Sequence, residues 1–327
     1  MDKIGIIVNN IGTPATPSTR DVAKYLREFL TDPGVIPAPA FVRYPLVYGL
    51  IAPLRSKSSA KKYQKIWTAE GSPLLVHTNA FAEKLQADLG ESFLVEVGMR
   101  YGSPNLPEAL NKLKTAGAKK ILLLPLYPQY AEATTVSAVL ELRKFTDQFE
   151  TFPAFFQEPF FLENSARLLQ PELAGVDHLL FSFHGLPESQ IKKNPGCLEG
   201  DCCSVVKHSE KQCYRAQCFA SATGIAARVS PPTWSVSFQS RLGPAKWIGP
   251  STAVELQRLA HTGKKRVAVY CPSFVADCLE TLEEIQIENR KVFLDEGGES
   301  FKFVPCLNSE KQWVRDFSEA IRKACKC

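Results

Sequence analysis

No apolar run in this 327-residue chain approaches the roughly 18 residues of a membrane-spanning helix. The N-terminal run Ile4–Val8 is too short for a signal-peptide core and lacks a cleavage pattern, so a cytoplasmic location is expected. Glycine-rich phosphate loops are missing as well. Without a usable G-x-G-x-x-G or P-loop, a dinucleotide or ATP enzyme is not expected. Charge of one sign is also scarce: 39 Lys and Arg stand against 34 Asp and Glu, a net +5. So small and dispersed an excess gives nucleic acid nothing to hold, but leaves room for acidic ligands or an anionic membrane surface. Sequence repeats, low-complexity tracts and long linkers are absent too. With 45% apolar and 22% charged residues, the chain is an ordinary globular protein. Cysteine is not scarce. Ten of them, in a reducing compartment, argue for metal ligation or buried thiols more than for disulfides.

Short apolar runs read as buried strands at Gly5–Val8, Phe93–Val97, Lys120–Leu126, Leu179–Phe183, Thr233–Phe238, Arg266–Tyr270 and Phe301–Val304. Amphipathic segments alternate with them, at Ser18–Leu30, Asn79–Leu89, Leu106–Ala116, Thr135–Asp147, Thr252–His261 and Cys278–Phe293. Such alternation predicts an α/β fold with parallel sheets flanked by helices. Two halves are expected, joined near Phe160–Gly175. Most strands end in polar or turn-forming residues, and in open parallel sheets ligands bind at those carboxyl ends.

Three groups of residues carry chemistry. In "LLFSFHGLPE" an apolar strand delivers His184 at its tip, where Gly185 and Pro187 break it. A hydrogen-bonded histidine plugging the strand end is the plainer reading; a proton acceptor needs partners. The segment "DCLETLEEIQIENRKVF" offers them. Asp277, Glu280 and Glu284 are spaced i, i+3, i+7 and share one face of a helix. An imidazole facing carboxylates suits proton abstraction beside a divalent cation. A scatter of aromatic and basic residues, including Arg100, Tyr101, Tyr63, Trp67, Gln239, Arg241, Lys246 and Trp247, suits a flat aromatic ligand with carboxylate tails.

"FSFHGLPES", "FQSRLGPAKWIGPST" and "VADCLETLEEI", with "NNIGTP" near the start and "LYPQYAEATT" midway, resemble ferrochelatase motifs in order and spacing, from about Ile4 to Val304. The resemblance implies two Rossmann-like lobes around a porphyrin cleft, and insertion of Fe²⁺ into protoporphyrin IX to make haem. It implies lobes at residues 1–165 and 166–305, and a C-terminal helix within 306–327 packing back on the first. By motif match, His184 is the active-site histidine and Glu280 the carboxylate facing it; both would meet the substrate metal. Glu284 and Asp277 form the acidic relay behind. Ile11, Arg100, Tyr101, Tyr130 and Trp247 match porphyrin-binding positions. Cys278 departs from the pattern, because many relatives carry a histidine there. A cobalt or nickel chelatase, coproporphyrin III as substrate, and a non-catalytic iron–sulfur or zinc sensor are the competing readings.

Cys197, Cys202, Cys203, Cys213 and Cys218 crowd the segment 197–218. Thiolates at this density suit Zn²⁺ or an iron–sulfur centre, and spacing alone does not choose. Some ferrochelatases carry a [2Fe–2S] cluster, which favours iron. The expected ligands are Cys197, Cys203, Cys213 and Cys218, with Cys202 substituting for its neighbour; Cys325 and Cys327 are the weaker alternative. His208, His178, His77 and His261 are expected on the surface or in helix ends. Phe41–Lys65 joins an apolar block to Arg55, Lys57, Lys61 and Lys62. The resemblance makes it a lip that meets porphyrin or a membrane surface.

Overall fold

The structure is a computed structural model that describes residues 3–193, 197, 202–203, 213–241, 243 and 245–326. His208 and Cys327 lie outside the described residues. The chain divides into two compact units. One comprises Met1–Tyr127, Ala131–Ala154 and Asn308–Cys327, the other Pro128–Tyr130 and Phe155–Leu307.

The first unit runs β1 (Lys3–Asn9), α1 (Thr19–Leu30), α2 (Ala40–Leu46), α3 (Ala52–Ile66), α4 (Pro73–Leu89), β2 (Phe93–Val97), α5 (Leu106–Thr115), β3 (Ala118–Pro125), α6 (Ser137–Arg143) and the short β4 (Glu150–Thr151). Its strands pair in parallel in the order β2-β1-β3-β4. The central β1 is apolar on both faces, and Ile6, Ile7 and Val8 carry no exposed surface, as a doubly covered strand requires. Ile7 packs with Leu110 and Leu113 of α5, Leu123 of β3 and Leu142 of α6. A capping box between Asn105 and Glu108 starts α5, satisfying backbone donors that its first turn leaves open.

The second unit runs α7 (Pro159–Leu169), β5 (His178–His184), α8 (Glu188–Ile191), α9 (Tyr214–Val229), β6 (Trp234–Gln239), α10 (Thr252–His261), β7 (Arg266–Tyr270), a π-helix (Glu280–Asn289), α11 (Arg290–Asp295) and β8 (Ser300–Val304). Its parallel order is β6-β5-β7-β8. Each unit thus sets its first strand between its second and third, although the sequence shows no repeat. That arrangement puts a topological switch point beside β1 and beside β5, where open α/β sheets leave a crevice at the carboxyl ends. The second unit begins at Phe155, earlier than residue 166, and α7, in this unit, packs along α9. The chain then returns to the first unit with α12 (Lys311–Ala324). There Trp313 and Phe317 of α12 stack near Phe81 of α4, and Ser318 bonds Asp88.

Two segments that overlap the amphipathic readings Thr135–Asp147 and Cys278–Phe293 are wound more widely: Glu132–Val136 ahead of α6, and Glu280–Asn289. A hydrophobic pattern fixes which face is buried, not whether a turn holds one extra residue, and such turns often mark functional sites. No helix among the described residues is long and apolar enough to cross a membrane.

His77 lies in α4, and His261 ends α10 beside Glu296 at 2.9 Å. His178 departs from its expected surface position. It opens β5 as a buried residue, its ring nitrogens 2.8 Å from the hydroxyls of Thr233 and Ser235. Ser235 in turn donates to Glu255, which Arg258 pairs. Burial lowers the imidazole from its usual 6.5 to about 4, against the pull of Glu255. The folded protein therefore keeps His178 neutral while the unfolded chain takes up a proton, so stability should fall as pH drops from about 6.5 toward 4. Denaturation midpoints should decline through that window in the wild type and flatten in His178→Asn. An equal decline in both would refute the assignment.

Candidate active site

His184 ends β5 half-buried in the second unit. Its Nδ1 lies 2.6 Å from the Gly185 carbonyl. A carbonyl only accepts, so Nδ1 carries the proton and Nε2 is left with its lone pair. The peptide is held on both sides: the His184 N–H reaches Ser273 Oγ at 3.3 Å, and the Tyr214 hydroxyl donates to the His184 carbonyl at 2.8 Å. Phe274 stands edge-on to the ring, centroids 6.2 Å apart. The following Gly185 is squeezed by its neighbours. A Cβ there would lie 2.8 Å from the Gln239 carbonyl oxygen and 3.2 Å from the Trp247 indole, which places Trp247 beside the histidine loop.

The tip of β6 organises the acidic segment. Gln239 donates from Nε2 to the Glu280 carbonyl at 2.8 Å, while its own oxygen accepts from Ser182 at 2.7 Å and from the Cys271 thiol at 3.5 Å. Ser240, in the left-handed region at φ 59°, gives its backbone N–H to one oxygen of Glu284 at 2.8 Å and its hydroxyl to the other. Burial raises the Glu284 carboxyl above its ordinary range; the Ser240 bonds oppose this, the Glu280 charge adds to it, and His184 offsets part. Glu280, Glu284 and His184 therefore share one electrostatic neighbourhood. Asp277 precedes the π-helix, is buried, and its carboxylate accepts from Thr281 Oγ1 at 3.0 Å and the Cys306 N–H at 3.3 Å. The i, i+3, i+7 spacing presumes one α-helix, whereas Glu280–Asn289 is a π-helix that starts after Asp277.

In the first unit, Ile11 follows β1 half-buried, and its carbonyl accepts the Tyr101 N–H at 3.0 Å. The chains pass so closely that a Cβ at Gly12, with φ 107°, would fall 1.8 Å from the Tyr101 carbonyl oxygen. Arg100 and Tyr101 are engaged internally. Arg100 pairs with Asp32 and, at 3.3 Å, with Glu141; Tyr101 has 0% exposure and donates to Asp32 at 2.9 Å. Burial would raise Asp32, but hydrogen bonds from Ser137 and Gly34 and the Arg100 charge hold it below its ordinary range. This pair braces the loop after β1. Tyr130, in the second unit, is half-buried with its N–H on Gln217 at 2.7 Å.

The described thiols of the cysteine segment lie close together, with Cys213 between Cys197 and Cys203. Sγ of Cys197 and Cys213 are 3.6 Å apart, and those of Cys202 and Cys203 3.8 Å. Two sulfurs bound to one metal at about 2.3 Å with tetrahedral angles lie roughly 3.8 Å apart, so each pair has the spacing of two ligands on one ion. Among the described residues, no three side chains are disposed around a single ion. Cys213 sits at the N-terminus of α9, and its thiol is lowered to about 5, first by the hydrogen bond from Cys203 and then by backbone N–H groups of that helix. Arg215 donates to Cys203 Sγ at 2.9 Å. Cys218 lies one turn further along α9, fully buried beside the Tyr214 hydroxyl.

In the lip, Phe41 is 81% and Leu54 70% exposed, with Tyr44, Tyr48 and Leu50 also open to solvent and Arg55, Lys57 and Lys61 exposed nearby. Arg43 instead turns inward onto the carbonyls of Ile36 and Ala38.

Residues 3–325 match the family model described as Ferrochelatase. The chain belongs to the ferrochelatase family. It is 47% identical to the ferrochelatase of Bdellovibrio bacteriovorus, covering 98% of this chain and 99% of the relative. The ferrochelatases of Coxiella burnetii and Legionella pneumophila are 43% and 41% identical, over 99% and 98% of this chain and 94% and 98% of theirs. Among solved structures, SirB from Bacillus subtilis with Fe³⁺ superposes at TM-score 0.54 with 10% identity, covering 98% of this chain and 95% of that one. A sirohydrochlorin chelatase SirB from Bacillus subtilis subspecies spizizenii in complex with cobalt gives 0.53 at 10% identity, covering 99% and 96%. At that identity the likeness speaks for the two-sheet fold alone. The expected family and fold are both borne out.

The positioning groups Ser240, Ser273, Tyr214 and Asp32 escape the sequence reading. Ser240 stands inside a quoted motif, but nothing in the order of residues says that it faces Glu284.

Proposed function

We propose that this ferrochelatase-family chain inserts Fe²⁺ into protoporphyrin IX to form haem, with His184 accepting pyrrole protons and Glu280 and Glu284 carrying charge behind it. The observation that carries this reading is the 2.6 Å contact of His184 Nδ1 with the Gly185 carbonyl. With Nδ1–H committed there, Nε2 of the neutral imidazole is free to accept a proton on a rigid strand tip, and the charge it then carries is felt by Glu284. The reaction exchanges one Fe²⁺ for two pyrrole protons, so the macrocycle site must take in a cation and release positive charge. Nε2 receives a proton; the carboxylates attract the metal and pass protons toward solvent. Trp247, beside the histidine loop, and Tyr130, in the same unit, offer aromatic surface to the macrocycle. Arg100 and Tyr101 act behind Gly12 as braces.

The thiols support a [2Fe–2S] cluster, which takes four cysteine ligands and is an electron-transfer or structural centre when bound. The four ligands are Cys197, Cys203, Cys213 and Cys218, with Cys202 as the alternative to its neighbour Cys203. Arg215 offsets part of the thiolate charge. The exposed apolar and basic residues of Phe41–Lys65 support contact with an anionic membrane surface by a protein that otherwise resides in the cytoplasm.

Glu280→Gln removes charge at nearly constant volume. It should lower kcat for haem formation about tenfold or more while leaving the porphyrin KM within about twofold. A raised KM with unchanged kcat would instead make Glu280 a binding residue.

A further inference from the structure

We propose that Tyr214 is a positioning residue that ties the cysteine segment to His184, so that the arrangement of thiols at Cys213 sets where the active-site imidazole stands. The inference rests on the function proposed for His184. Three hydrogen bonds link the His184 backbone, Ser273 and Tyr214. The His184 N–H donates to Ser273 Oγ at 3.3 Å, and the Tyr214 hydroxyl donates to the His184 carbonyl at 2.8 Å. Tyr214 and Ser273 are themselves 3.0 Å apart. Because the single tyrosine hydrogen is spent on the carbonyl, Ser273 donates to Tyr214 and receives the backbone N–H. Both polar backbone groups of the histidine are thereby clamped from one side.

The clamp is attached to the thiols by one covalent step. Tyr214 is the first residue of α9 and Cys213 the residue that caps it, buried and 3.6 Å from the Cys197 sulfur. On the other side of the same hydroxyl lies Cys218, one helical turn along. Tyr214 itself is buried, so its ring has no room to absorb a shift of the helix start by swinging into solvent. A displacement at Cys213 must therefore move the hydroxyl, and with it the carbonyl that anchors His184. Sub-ångström misplacement of a proton acceptor is enough to slow a reaction strongly. The cysteine segment need not touch substrate to govern turnover.

Tyr214→Phe removes the hydroxyl and keeps the ring. In the protein with its cysteines intact, kcat should fall about tenfold, with porphyrin KM within about twofold and the thiolate-to-metal absorption unchanged. The His184 imidazole resonances, identified by their loss in His184→Ala, should shift in Tyr214→Phe at constant pH. Cys213→Ser should then slow the wild type by a larger factor than it slows Tyr214→Phe, because the route is already cut. Unchanged kcat and resonances in Tyr214→Phe would overturn the proposal, as would an equal cost of Cys213→Ser in both backgrounds. Should Cys213→Ser fail to fold, the single Tyr214→Phe protein decides by the same kcat and resonance criteria. Retained turnover in His184→Ala would remove the acceptor role alone, since the resonances still report whether Tyr214 places the ring.

Discussion

His184→Ala is expected to lose at least about a hundredfold in haem-forming kcat, the range that a positioned general base supplies. The fold should survive. His184 is half-buried at the last position of β5, so its side chain is not among those filling the core, and the strand's own pairing with β6 and β7 involves backbone groups that alanine retains. Thermal midpoints within a few degrees of wild type, together with near-absent metal insertion, are the expected pair of results. Porphyrin binding, followed by quenching of protein fluorescence, should change little. Near-normal turnover would show that the imidazole is only a plug at a strand end.

The second large effect belongs to the thiols. Thiolate-bound ferric iron absorbs in the visible, so the purified protein should be red-brown, and Cys213→Ser should be colourless, because an oxygen ligand holds such a cluster poorly. Cys325→Ser should keep its colour. Loss of the centre also frees a long loop whose closure costs chain entropy. The Cys213→Ser protein should therefore lose thermal stability together with the part of its turnover that the Tyr214 contact carries. Stoichiometric zinc in a colourless wild type would replace iron in this account, and colour that survives Cys213→Ser but not Cys325→Ser would move the centre to the tail.

The parts of the fold legible in the sequence were those governed by burial. Arg266–Tyr270 is apolar because it is buried inside its sheet beneath helices, and its observed boundaries, like those of Phe93–Val97, coincide with the apolar runs. His184 was legible for a related reason: a polar residue at the end of such a run stands at the ligand-binding edge of a parallel sheet. The carboxylates were legible as a group but not in their arrangement. Asp277 and Glu280 differ by three positions, yet one is buried and accepts the Thr281 hydroxyl while the other stays half-exposed. Arg100 and Tyr101 look like ligand-facing residues in sequence because nothing there reveals Asp32, 68 positions away, which claims both. His178 misled in the same way, its partners Thr233 and Ser235 arriving from the neighbouring strand. Long-range pairing decides these cases, and local pattern carries no record of it.

The central claim is catalytic metal insertion, and it is tested most directly by mixing the purified protein with Fe²⁺ and protoporphyrin IX under strictly anaerobic conditions and following the visible spectrum. The expected result is conversion of the free-base porphyrin bands to those of haem over many turnovers, with loss of porphyrin fluorescence. Porphyrin that remains metal-free while bound, or conversion no faster than without protein, would contradict the account.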